Sequence, residues 1–146
     1  MAKYLLDSNI VTCILRKRDE ADFRIIRKFQ DVLRTNARIL ICPIVFYEVA
    51  RGLYHEKTRN HKKAHKQLGA LEVFVEKFVW CEFDSETWDE GAKLWAKCRQ
   101  NGKPTGDGLD QDVLIAAQVS KQDAILVTNN TKHFKHFSIT HENWAS

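Results

Sequence analysis

The sequence contains no Cys-x-x-Cys pair, no Walker-type glycine loop and no Gly-x-Ser-x-Gly elbow. Nor does any apolar run approach the roughly 20 residues needed to span a bilayer. Each absence removes a class of function. Cys13, Cys42, Cys81 and Cys98 are too scattered for a zinc knuckle or a thioredoxin-like centre. Three of them lie in apolar runs, so they read as buried small hydrophobes in a reducing compartment. The missing glycine motifs speak against a P-loop enzyme and a serine hydrolase. No RRM, KH or zinc-finger signature is present. Met1-Ala2-Lys3-Tyr4 runs into Leu5-Leu6-Asp7 without a leader-like apolar region. The expectation is a soluble cytoplasmic protein with no membrane partner.

What is present is an ordinary globular composition. Of 146 residues, 44% are apolar and 29% charged, enough to bury one core without disulfides. The formal net charge of +4 permits an anionic partner without demanding one. Short continuous apolar runs at Tyr4–Leu6, Ile39–Cys42, Phe78–Phe83 and Ala124–Val127 read as strands, with a short edge strand at Ser138–Thr140. Between them the apolar residues recur at helical spacing. Helices are expected after Ser8 or Asn9 as N-cap, from Ala21 to Leu33, from Pro43 to Tyr54, around Leu68–Val75, from Glu86 to Gln100 and from Gln111 to Ser120. Residues 101–108 carry three glycines and a proline and read as a loop. Alternating strands and helices, with strands that are apolar throughout, predict an α/β sandwich. Its central parallel sheet should have about five strands flanked by helices, in a single domain over 1–146.

Ligands of an open parallel sheet bind at the carboxyl ends of its strands. Asp7 closes the first strand, and Thr128, Asn129 and Asn130 close the fourth. Glu48 lies early in the helix after the second strand, and Asp110 and Asp112 open the helix before the fourth. Each has a structural reading. Asp7 suits a helix cap, Asp110 and Asp112 suit a helix dipole, and Asn129-Asn130 suits a turn. Glu48 is harder to dismiss, since Val45, Phe46 and Val49 surround it with apolar side chains. Together the acids repel one another in one cleft, and a divalent cation removes that conflict. Oxygen donors alone suit Mg²⁺ or Mn²⁺ rather than zinc, and such a site in a basic protein suits a phosphodiester. A haloacid-dehalogenase-like phosphatase would want an aspartate where Asn9 stands. A receiver domain would want an acidic pair and a late lysine that are not evident here.

The order of Tyr4-Leu5-Leu6-Asp7-Ser8-Asn9, Glu48-Val49-Ala50-Arg51-Gly52, Asp112-Val113-Leu114-Ile115-Ala116-Ala117 and Leu126-Val127-Thr128-Asn129-Asn130-Thr131 resembles the PIN-domain family. Within it the chain is similar to the VapC toxins of toxin–antitoxin pairs, and Phe134 and Glu142-Asn143-Trp144 continue the match. The resemblance implies Asp7 and Asp112 as main ligands of Mg²⁺, or Mn²⁺ in its place. Glu48 would bind the metal directly or through water, or orient the attacking water. The family's fourth acidic position falls on Asn130, an amide, and Asp110 is an additional candidate ligand. The implied activity is metal-dependent endonucleolytic cleavage of RNA, with a tRNA anticodon loop as the suggested target. A homodimer and a VapB-like antitoxin are the implied partners. Asn130 motivates the rival expectation, a PIN-like module that binds RNA or an antitoxin without cutting.

The densest basic run, His55 to Lys66, is either a solvated helix face or a phosphate-contacting surface. Arg51, Lys57, Arg59, Lys62, Lys63 and Lys103 form the expected RNA-binding rim. His61 and His65 have metal-pair spacing without a third ligand nearby in sequence, which makes a zinc site there a weak expectation. Trp80, Trp88, Trp95 and Trp144 read as core or interface aromatics.

Overall fold

The apolar runs become the strands of one parallel sheet. The computed structural model describes residues 1–102 and 109–146, so Lys103 and most of the glycine-rich loop lie outside the described residues. The elements run β1 (Lys3–Leu6), α1 (Ser8–Arg16), α2 (Glu20–Leu33), β2 (Arg38–Ile41), α3 (Pro43–Lys57), α4 (His61–Glu76) and β3 (Val79–Trp80). They continue as α5 (Ser85–Gln100), α6 (Leu109–Gln122), β4 (Ile125–Val127), α7 (Thr131–Phe134) and β5 (Thr140–Glu142). The strand order is β3-β2-β1-β4-β5, and every neighbouring pair is parallel.

This order carries a consequence for function. From β1 to β2 to β3 the chain steps in one direction, and from β3 it jumps back to β4 on the far side of β1. Right-handed crossovers therefore place α1–α4 on one face and α5–α7 on the other. The packing agrees: α1 meets α2, α3 and α4, while α6 meets α5 and α7. The strand order reverses between β1 and β4, the switch point where open sheets bind ligands. Leu5 and Leu6 pair there with Leu126 and Val127, all four buried.

Several expected boundaries shift. Asp7, rather than Ser8 or Asn9, is the N-cap of α1, its carboxylate accepting from the Ser8 amide. The third strand is only Val79–Trp80, both exposed, though Cys81 N–H still donates to Ile41 O at 2.9 Å. An edge strand with few partners is shortened in this way. The last strand begins at Thr140 rather than Ser138, because Phe137 N–H closes a turn on Phe134 O first. The helix expected to end at Tyr54 runs on to Lys57, and α4 starts at His61 with Asn60 as cap, so most of the basic run is helical. All four cysteines are buried, three of them in the apolar runs noted above and Cys98 between Lys97 and Arg99 on α5. Burial pushes the Cys42 thiol up to about 12. Among the described residues no helix is long and apolar enough to cross a membrane.

One buried charge ties α1 to α2. Asp22 is fully buried, and Arg16 grips it twice, Nε to Oδ2 at 2.9 Å and Nη2 to Oδ1 at 2.8 Å. Arg18 N–H adds a third bond at 2.8 Å. The Arg16 guanidinium holds the Asp22 carboxyl well below the usual carboxylate range. Asp22→Ala removes a carboxylate that accepts three bonds but leaves Arg16 with 26% of its side chain in water, so the expected loss of stability is about 1.5–3 kcal/mol. Because the native carboxyl pKa is depressed, its contribution is present above about pH 4 and fades as pH falls further. Urea titrations of both proteins at pH 7 and pH 3 check this, the gap between them narrowing at the lower pH.

Candidate active site

The switch point is stitched by side chains as well as by backbone. Asp7 N–H donates to Val127 O at 2.9 Å, which carries the β1–β4 ladder one residue past the strands. Thr128, fully buried, donates its hydroxyl to Asp7 Oδ2 at 2.7 Å. Asn9 Nδ2 donates to the same oxygen at 3.3 Å, and Asn9 Oδ1 accepts from Asn129 N–H at 3.1 Å. Asp7 is therefore both the cap of α1 and a fixed carboxylate at the end of β1. Its helix-cap reading and its site reading are the same geometry seen from two directions.

Two further carboxylates reach this point from other elements. Glu48 comes from the second turn of α3 and Asp112 from the first turn of α6. Burial raises the Asp7 carboxyl, partly offset by its hydrogen bonds. Glu48 is pushed up to about 7, first by burial, then by the charge of Asp7, with Arg51 opposing and Asp112 adding. Asp112 rises to about 6, mainly by burial, with His133 opposing and Asp7 adding. Glu48 and Asp112 thus each feel the charge of Asp7, and Glu48 that of Asp112 as well. Glu48 Oε1 is buried with no hydrogen-bond partner among the described residues. Among those residues no group of three His, Cys, Asp or Glu side chains forms a ready-made metal cage.

The other expected site residues are placed as follows. Asn130 is exposed at the mouth of the cleft, its N–H donating to Thr128 Oγ1 at 3.0 Å. Asp110 is exposed and, two residues before Asp112, faces another side of α6. It is not among the charges acting on the three carboxylates. Arg51 lines the cleft, a space of about 520 Å³ bounded also by Ser8, Asn9, Thr12, Arg16, Glu48, Asn129 and Asn130. Lys63 instead lines a separate groove of about 820 Å³, and Lys62 is exposed on α4. His61 and His65 stack at 5.7 Å on the surface of α4.

Three contributors were not legible as site residues. Asn9 bridges Asp7 and the β4 end, and its position two residues after a strand-terminal aspartate was the available signal. His133, from α7, sets Nδ1 3.4 Å from Asp112 Oδ2. Arg16 reaches the cleft wall from the last turn of α1 and had no local signal, because Asp22 that fixes it comes from the next helix.

Folding raises the Glu48 carboxyl from about 4.5 to about 7. An acid whose folded pKa lies above its unfolded value binds its proton more tightly when folded. That stabilisation is complete below about 4.5 and is lost as pH rises to about 7. Without divalent cations, Glu48→Gln should therefore melt at a higher temperature than the parent at pH 8. The difference should shrink below pH 5. Scanning calorimetry in EDTA at both pH values measures it, and a lower melting temperature for the variant at pH 8 would contradict this electrostatic picture.

Comparison with known proteins agrees with this fold. The PIN domain model matches residues 4–139. Ribonuclease VapC2 of Rickettsia felis is 28% identical over 142 residues, covering 97% of both chains. The tRNA(fMet)-specific endonuclease VapC of Shigella flexneri is 25% identical over 147 residues, covering 99% of this chain and all of that one. Among solved structures, VapBC2 from Rickettsia felis bound to a DNA fragment from its promoter superposes with a TM-score of 0.76 at 26% identity, covering 97% and 98% of the two chains. With the five-stranded parallel sheet and the acids at its switch point, the match makes the assignment plain: this chain belongs to the PIN-domain family.

Proposed function

We propose that the protein is the toxin of a toxin–antitoxin pair, an endoribonuclease that hydrolyses RNA phosphodiester bonds at its carboxylate cleft. The observation that carries this reading is the meeting of Asp7, Glu48 and Asp112, from three separate elements, at the switch point of the sheet. The names of its relatives, a ribonuclease and a tRNA endonuclease, support the same reading and suggest a structured RNA such as a tRNA.

The donor set fits a divalent cation. All three groups offer oxygen, as Mg²⁺ and Mn²⁺ prefer, and Glu48 Oε1 is a buried acceptor that lacks a donor. Asp7, Asp112 and Glu48 would hold the ion, which when bound lowers the pKa of a water and offsets charge on a phosphate. The chain's own groups supply the rest. Thr128 and Asn9 fix Asp7 so that its carboxylate needs no reorganisation. Glu48 Oε1 is the acceptor offered to an attacking water. Arg51, exposed at the rim and lying 5.2 Å over the Tyr47 ring, is placed to meet a phosphate.

The partner reading has physical support too. The groove of about 820 Å³ between α1, α2 and α4 is floored by Ile14, Ile26, Phe29, Val73 and Phe74. Lys17, Lys63, Lys66 and Lys77 rim it, and Arg16 lines both this groove and the cleft. Such a surface suits an extended or helical antitoxin segment with apolar and acidic residues. A basic side chain at its end would reach the carboxylates in place of the metal. Exposed Tyr47 and Tyr54 on α3 supply apolar area for a homodimer.

Purified protein incubated with labelled tRNA should give fragments in Mg²⁺ or Mn²⁺ and none in EDTA. Asp7→Asn and Asp112→Asn should each slow cleavage by at least about 100-fold, losing groups made for the transition state. Tight binding without cleavage in any metal would favour the non-cutting module that Asn130 suggests.

In cells, expression without an antitoxin should arrest growth, and Glu48→Gln should relieve the arrest. Colony counts after induction read this directly. Normal growth with abundant soluble parent protein would remove the toxin assignment.

A further inference from the structure

We propose that Arg16 is a phosphate-binding residue of the cleft, a guanidinium set in place by buried Asp22 to hold the RNA backbone beside the scissile linkage. The inference rests on the nuclease reading above and adds to it a specific contact with the substrate.

Arg16 occupies the last turn of α1, on the wall of the cleft that also holds Glu48 and Arg51. It is neither buried nor free. Its side chain keeps 26% of its surface exposed, whereas Asp22 keeps none. Asp22 takes Nε and one N–H of Nη2 in a two-pronged pair, and Nη2 also points toward Cys13 Sγ at 3.7 Å. The two N–H groups of Nη1 are taken up by neither Asp22 nor Cys13. Asp22 is itself fixed, by Arg18 N–H and by its place in the first turn of α2, where its own N–H bonds to Asp19 Oδ1 at 2.9 Å. Lys17 makes this possible. With φ at 52° it ends α1 in a left-handed turn and brings the start of α2 back beside Arg16.

A buried ion pair is weak evidence for stability, because apolar residues of similar size often serve as well. What this pair adds is a guanidinium whose rotamer freedom is already spent before a ligand arrives. The cleft needs such a group. A phosphodiester entering beside Glu48, the carboxylate on the cleft lining, meets like charge, and Arg16 and Arg51 are the arginines on the same walls. A guanidinium edge matches the two non-bridging oxygens of a phosphate, and a rigidly held one adds direction as well as charge.

The test uses the Asp112→Asn protein, which does not cut, in EDTA. Its ligand is a single-stranded RNA bearing a neutral methylphosphonate at one linkage at a time, with binding read by fluorescence anisotropy. Arg16→Gln alone strands Asp22, so the informative variant is Arg16→Gln with Asp22→Asn, which leaves the net charge unchanged. The parent should lose about tenfold in affinity at one linkage in particular. The double variant should bind the all-phosphate RNA about tenfold more weakly and lose nothing further at that linkage. Equal affinity for the all-phosphate RNA, or an undiminished penalty at that linkage, would overturn the proposal. So would a loss confined to a protein partner with RNA binding unchanged.

If the double variant does not fold, Arg16→Lys keeps the charge and the pairing with Asp22 but not the fork. It should bind several-fold more weakly, and parent-like affinity and linkage pattern would count against the proposal. Cleavage in Mg²⁺ is scored separately on the parent protein. A parent that binds with the linkage penalty but never cuts defeats the nuclease reading and leaves the Arg16 contact standing.

Discussion

The junction of β1 and β4 holds the site together through two bonds on a single residue. The backbone of Asp7 pairs with Val127, and its carboxylate accepts from the buried Thr128 hydroxyl. Both depend on the strand order, since only a sheet that reverses direction at this seam places the ends of the first and fourth strands side by side. The same bonds set the entry angle of α1, because Asp7 also caps that helix. The direction in which α1 leaves the sheet in turn places Arg16 at the cleft wall and Asp22 behind it.

Around that seam the molecule keeps a deliberate conflict. Burial raises Asp7, burial and the charge of Asp7 raise Glu48 and Asp112, and Glu48 Oε1 has no donor among the described residues. A fold selected only for stability would remove such groups or pair them. The conflict with Asp22 is resolved by Arg16 and a backbone N–H, so this chain does satisfy buried acids where nothing else is required of them. The contrast between these two treatments of buried acid is the strongest physical argument that the cleft is kept open for a ligand.

Much of this was legible in the sequence because it rests on local rules. Leu5, Leu6, Ile39, Leu40, Leu126 and Val127 are buried in the strands their unbroken apolar runs predicted. Pro43 starts α3, and Asp84 caps α5. Asp7, Glu48 and Asp112 could be chosen because strand ends and helix starts in a parallel sheet share an edge. The failures have non-local causes. Val79–Trp80 is short because it is itself the edge strand, paired on one side only, which no residue of its own reveals. Asp110 is set apart from Asp112 by the turn of α6. Lys63 belongs to a different concavity from Arg51 because α4 packs against α1 and α3. Arg16 needed knowledge of α2 before its role could be seen.

The distribution of the thiols gives the fold an internal clock. Cys13 sits on α1, Cys42 at the start of α3, Cys81 at the end of β3 and Cys98 on α5, all of them buried. Cys13 belongs to the α1–α4 layer and Cys98 to the helix layer opposite, with Cys42 and Cys81 just past the ends of β2 and β3. A small alkylating reagent can reach any of them only when its surroundings open. The order in which the four are modified therefore records the order in which the two layers come away from the sheet. If the seam at Asp7 is the last part to yield, all four should be trapped together, as in one cooperative opening. If the α5–α7 layer can lift on its own, Cys98 will be labelled first, marking the layer that carries Asp112 as the movable half of the molecule.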